Sequence, residues 1–230
     1  MRDPGFTDGG ASVIVKLYRW AVFLLAGFYT SWMVLLDADY TAPAGPFRFL
    51  TIWALLLSFF CASRMMALVE HRSENDWPAL VAVTATLNFM VVFLYWRLYL
   101  ADPGNVTGSG GPPDPWVQYY IHALGPLLQW GDMLFVHRNV RRLWRALFIL
   151  LCVVVAYVLW TELIVGPLND TPVGMVTSGL PYPFLNDLEL SGRAQFYGQT
   201  AVSAVLVLLL VFGLSHLTRQ VLGDASAEAR

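Results

Sequence analysis

Six stretches of this chain are each long and apolar enough to cross a bilayer: 14 to 36, 47 to 69, 78 to 100, 116 to 136, 143 to 165 and 197 to 217. A hydrocarbon core about 30 Å thick takes about 20 mostly apolar residues per helix. The stretches are divided by charged residues or by Pro and Gly, which end helices and start turns. A soluble reading also fails on composition. Only 13% of the 230 residues are charged and 57% are hydrophobic, against roughly a quarter charged in soluble domains. The expected fold is all-α: a polytopic membrane protein, a bundle of six transmembrane helices over residues 13 to 218, with cytoplasmic tails at 1 to 12 and 219 to 230.

The net charge of -2 says little about partners, because in a membrane protein the side on which the cations fall matters more. Arg2, Lys16, Arg19, Arg64, Arg72, Arg138, Arg141, Arg142, Arg145, Arg219 and Arg230 sit at the N-terminus, the second and fourth connections, or the C-terminus. Arg48, Arg97 and Arg193 lie toward the other face. This division, 11 of the 14 cations against 3, puts both termini in the cytoplasm. Nothing points to nucleic acid. Lys16 and Arg19 ahead of the first run, with Ala42-Pro43-Ala44 beyond it, have the outline of a signal peptide. The run is longer and more aromatic than a signal core and ends well before Ala44, so it reads as a first span. Cys61 and Cys152 fall inside spans, where a thiol is a small packing residue, and no disulfide or metal framework follows.

Two outward connections stand out. ADPGNVTGSGGPPDPW at 101 to 116 is too rich in Gly and Pro for helix and reads as a surface loop. The longest connection, 166 to 196, contains LPYPFLNDLELSG, an apolar patch between prolines that either hugs the membrane or forms a lid over the helix ends.

Polar groups within a span are costly, and each has a plain structural role to set beside a functional one. Asn88, in the middle of the third run, reads first as a hydrogen-bonding partner for a neighbouring helix. Arg97 and Glu162, near the outward ends of the third and fifth runs, are most simply an ion pair. Asp132 is ten residues past His122, about 15 Å further along a helix, and is expected to meet His137, Arg138 and Arg141. His122 lies six residues after Trp116, about 9 Å below the outward end and within reach of water. A His so placed is more often structural than catalytic. His216, the only other His well inside a run, lies at the opposite face, so haem ligation is set aside. A zinc site lacks its ligand spacing, and no cofactor is called for. Thr51 stands in GPFRFLTIWALLL, five residues past Pro46, about 7 Å into the outward end of its helix. A Thr there usually bonds back to a carbonyl one turn earlier. Its depth nonetheless matches that of His122, and a His able to take a Thr hydroxyl proton is the minimal machinery for covalent acyl transfer.

Together the six spans, the FRFLT that ends on Thr51, the Trp116 to His122 spacing and the YPFL at Tyr182 to Leu185 resemble the androgen-induced and androgen-dependent TFPI-regulating membrane proteins. The resemblance runs over about residues 13 to 218. It implies a six-helix membrane hydrolase that acts on fatty acid esters of hydroxy fatty acids, with Thr51 as nucleophile and His122 as its partner. Two departures concern substrate more than architecture. Tyr119 stands where animal members carry another His, and Pro126 arrives one residue earlier than in those proteins.

The function expected is therefore an intramembrane lipid ester hydrolase, its partners being a lipid substrate and the bilayer. Tyr119, Tyr182 and Phe184 are the expected substrate-binding residues. Asp114, Asp187 and Glu189 are candidates for orienting His122, and Tyr119, Tyr182 or backbone N–H groups near Gly125 for an oxyanion site. The rival is a non-catalytic lipid-binding scaffold or small carrier. A carrier is expected to show related halves and polar residues near the midplane, where only Asn88 is found.

Overall fold

The computed structural model describes residues 13–107, 114–169 and 179–223, so the expected tail at 1 to 12 and most of that at 219 to 230 lie outside it. The described chain is all-helical. We number α1 (Val13–Leu36), α2 (Leu50–Val69), α3 (Pro78–Ala101), then α4, which runs on through four segments, Pro115–Tyr119, Tyr120–Leu124, Gly125–Gly131 and Asp132–His137. Next come α5 (Leu143–Leu168) and α6 (Leu190–Leu222). Five of these are long and apolar enough to cross a membrane, and α4 is not among them. Gln118, His122, Gln129 and Asp132 dilute its apolar character, and π-helical turns interrupt it at Tyr120–Leu124 and Asp132–His137.

At the centre is α3, in contact with α2, α4, α5 and α6. Its first half is buried almost without break from Pro78 to Asn88. Small residues there, Ala79, Ala82 and Ala85, let neighbouring backbones approach closely. Polar side chains then tie the layers together. Asn88 Nδ2 donates to Ser58 Oγ on α2 at 2.8 Å, the interhelical role expected for it. Gln129 Nε2 of α4 donates to the Ser58 carbonyl at 3.1 Å, and Trp130 Nε1 to the Ala85 carbonyl at 2.9 Å.

Three expectations are corrected. Asp132 meets Arg19 of α1 instead of the cations beyond α4, with Nε to Oδ1 at 2.8 Å and Nη2 to Oδ2 at 3.5 Å, both side chains 7% exposed. The face of α4 that carries Asp132 packs on α1, where the Tyr18 hydroxyl also donates to the Leu128 carbonyl. A Cβ at Gly131 would stand 2.6 Å from that hydroxyl, so the bare backbone leaves room for the end of the Tyr18 side chain. The cations beyond α4 are engaged elsewhere, Arg138 with the Leu222 and Gly223 carbonyls and Arg141 with Asp76. Glu162 pairs with Arg193 at 2.9 Å and accepts from the Tyr197 hydroxyl at 2.8 Å, while Arg97 is exposed. The reason is that α6 begins at Leu190 rather than 197, which brings Arg193 onto its first turn beside α5. Finally, the connection after α3 contains one helical turn, Gly104–Thr107, started by Asp102 Oδ1 accepting the Gly104 N–H at 2.9 Å.

Candidate functional site

The start of α2 is set by a backbone sequence that cannot be helical. Ala44 and Gly45 have φ of 62° and 49°, Gly45–Arg48 forms a single 3₁₀ turn, and Phe49 is extended. A side chain at Gly45 would also collide with the Tyr40 ring, at 2.8 Å. The helix therefore begins at Leu50, and Thr51 is its second residue rather than lying a turn or more inside it. This changes the chemistry of the hydroxyl. The residues one turn back belong to the 3₁₀ turn and not to α2, and their carbonyls are occupied: Phe47 accepts from Trp53 Nε1 at 2.9 Å and Trp160 Nε1 at 3.1 Å, and Arg48 from the Tyr157 hydroxyl at 2.9 Å. Buried hydroxyls further along helices do bond back, as Ser58 does to Ala54 and Thr86 to Ala82. Thr51 makes no such bond and faces a cavity.

His122 is held by its neighbours on α3. Pro126 has no N–H to give to the carbonyl four residues back, which is that of His122. Trp96 Nε1 of α3 donates to this carbonyl at 2.9 Å instead. The chain relaxes into the π-helical turn Tyr120–Leu124 around His122, a local form that often marks functional positions. The imidazole stacks on Tyr95 with ring centroids 3.6 Å apart and planes within 8°. It is 5% exposed, and its Nδ1 is buried without a hydrogen-bond partner.

Thr51 and His122 lie on the wall of one cavity of about 630 Å³, lined mostly by apolar residues of α2, α3, α5 and α6. They are not hydrogen-bonded to each other. The lining includes Tyr182, Phe184 and Leu185, together with Asp37, Asp39 and Arg48, whose exposed or half-buried side chains mark its rim. A smaller cavity of about 10 Å³ touches the other side of Thr51, beside Ser58, Asn88 and Gln129.

The segment after residue 179 closes on itself through Asn186, whose side chain accepts the Leu180 N–H at 2.8 Å and donates to the Leu180 and Tyr182 carbonyls at 3.0 and 3.1 Å. Thus clipped, it places the Tyr182 hydroxyl where it accepts the Leu50 N–H at 3.2 Å, immediately before Thr51. Burial raises the Tyr182 phenol above its usual range, so it stays neutral. Residues 170–178, between α5 and this clip, lie outside the described residues.

Of the residues singled out in the sequence, Thr51, His122, Tyr182 and Phe184 share the cavity wall, and Tyr119 does not. Tyr119 is 62% exposed on the outer side of α4. Asp114, Asp187 and Glu189 are exposed and make no bond to His122. Sequence reading missed Tyr95 and Trp96, which position His122, and Asp37, Asp39 and Arg48 at the rim. The Tyr-Trp pair near the end of a span was the one available signal, since aromatics there pass for ordinary interface anchors.

The family model described as FAR-17a/AIG1-like protein matches residues 17–216 of the chain. No curated protein and no solved structure matches it.

Proposed function

The chain belongs to the FAR-17a/AIG1-like family, and from that membership we propose that it is an intramembrane hydrolase of long-chain fatty acid esters, with fatty acid esters of hydroxy fatty acids as the substrate class. The observation that carries the proposal is that Thr51, whose hydroxyl makes no bond back to its own helix, shares a mostly apolar cavity wall with His122 among the described residues. In the mechanism, His122 takes the proton of Thr51 Oγ1 as the oxygen attacks the ester carbonyl carbon. The tetrahedral intermediate collapses, its C–O bond to the alcohol breaks, and the departing oxygen takes the proton from His122. Water then attacks the acyl-threonine with His122 again as base. This attack frees the carboxylic acid and restores the Thr51 hydroxyl.

The position of Thr51 at a helix start supports this chemistry. The helix dipole favours negative charge at the start of α2, where the oxyanion would develop, although the Leu50 N–H is already given to Tyr182 and the Ile52 N–H to the Phe49 carbonyl. Tyr182 holds the lid segment at the same helix start. In this reading α4 is the sixth span, both termini are cytoplasmic, and the site opens toward the outer face. The membrane domain covers 13 to 218.

The scaffold reading draws on a separate observation: among the described residues no carboxylate bonds the His122 Nδ1, which is buried without a partner. Labelling of the purified protein with a fluorophosphonate separates the two readings. Wild type is expected to label, and Thr51→Ala and His122→Ala to fail to label while remaining folded. Equal labelling of all three would remove Thr51 from the chemistry and favour the scaffold.

A further inference from the structure

Arg48 is the cation on the cavity wall among the described residues, and it has no carboxylate within ion-pairing distance. The other two cations expected at this end have different situations: Arg193 is paired with Glu162, and Arg97 is exposed. The Arg48 guanidinium is partly buried over the Phe49 ring, 4.9 Å from its centroid, and the backbone carbonyl of Arg48 is tied to Tyr157. Asp39 accepts the Thr41 N–H and hydroxyl at its Oδ1 and is the carboxylate whose charge reaches Arg48, from beyond ion-pairing distance. A half-desolvated guanidinium with an unused fork of donors beside an apolar cavity is a seat for an anion with an apolar body. Arg48 is three residues before Thr51, so their Cα atoms are at most about 11 Å apart.

We propose that Arg48 is the specificity-determining residue of this cavity, binding the free carboxylate of a long-chain acid so that an ester elsewhere on the same molecule meets Thr51. The assignment rests on the hydrolase reading for its ester, though not for its carboxylate. A carboxylate fits better than a phosphate. One guanidinium matches one carboxylate through two parallel hydrogen bonds, and Asp37 and Asp39 on the rim oppose any anion, but a doubly charged phosphate more than a singly charged carboxylate. Neutral esters of the same length lack the contact.

The test compares two substrates that share the same acyl ester. One carries a free terminal carboxylate and the other has that carboxylate capped as a methyl ester. The ratio of kcat/KM for the free acid over the capped form is expected to exceed one in wild type. In Arg48→Gln it is expected to fall by about tenfold to a hundredfold, the factor typical of a hydrogen bond to a charged group. Arg48→Lys, which keeps the charge but not the fork, is expected to fall between them. A second arm needs no turnover: calorimetric binding of a long-chain fatty acid to Thr51→Ala, expected to weaken at least about tenfold when Arg48→Gln is added. An unmoved ratio together with unmoved binding would overturn the assignment. So would equal loss on both substrates, which marks Arg48 as a structural support, or tighter binding of a long-chain alkyl phosphate than of the fatty acid. If Thr51→Ala still hydrolyses ester, or wild type hydrolyses neither substrate, the hydrolase reading falls while the binding arm still decides for or against Arg48.

Discussion

A threonine hydroxyl is a weak nucleophile until a base takes its proton, and it is no nucleophile at all while it is donating to its own helix. Thr51 escapes the second restraint because α2 starts one residue before it and the nearby carbonyls are taken by Trp53, Trp160 and Tyr157. Thr51→Ser is therefore expected to keep part of the ester turnover, whereas Thr51→Val, which keeps the shape, is expected to lose at least about a thousandfold. Turnover by the Val variant at the wild-type rate would return Thr51 to packing. His122→Ala is expected to cost about a hundredfold to ten-thousandfold. A pH profile of kcat/KM gives an independent reading. Protonated imidazole has no lone pair for the Thr51 proton, so activity is expected to fall as pH drops through the His122 titration and to stay on a plateau above it. Activity that rose as pH dropped would exclude His122 as base. Thr51 and His122 were legible in the sequence because short motifs and matching depth single them out. Tyr95 and Trp96 were not, because the partner of a carbonyl freed by Pro126 is chosen only when α3 and α4 come together.

Among the elements, hydropathy fixes helices better than it fixes their ends. Runs of apolar residues locate α1, α3 and α5 closely, but the left-handed turn at Ala44 and Gly45 delays α2, and α6 reaches outward to Leu190 through residues too polar to be read as span. Such shifts choose partners, which is why Glu162 pairs with Arg193 and not with Arg97. The contact of α1 with α4 carries the most severe penalty for change. Arg19 and Asp132 are both buried, and removing either leaves the other charge without compensation. Asp132→Ala is expected to lower the stability of the folded protein by about 3–5 kcal/mol. The pair Arg19→Met with Asp132→Leu, which removes both charges, is expected to recover most of that loss. Thermal unfolding in detergent measures both. An Asp132→Ala protein as stable as wild type would show that the pair contributes nothing. At the same contact Gly131→Ala is expected to displace Tyr18 from the Leu128 carbonyl, with a smaller loss.

For the whole molecule, the division of 11 cations against 3 predicts one orientation. Reporters fused after Arg230 and inserted near Gly110 are expected on opposite sides of the membrane, with the C-terminal one cytoplasmic. Both on one side would mean that α4 does not cross, and the shared cavity end would then need a different topology. At this scale five of the six expected spans were legible, since bilayer thickness sets a length that composition either meets or does not, and α4 falls short because polar residues dilute it. The order in which the chain is made adds a consequence of the Arg19 to Asp132 contact. The two residues are 113 positions apart, so at synthesis rates of about 5–20 residues per second the ribosome needs roughly 6 to 23 s to deliver the aspartate after the arginine. Throughout that interval α1 holds a guanidinium with no counter-charge, and it cannot settle at its final depth until α4 emerges. The first of the described helices to be synthesised is thus among the last to be seated.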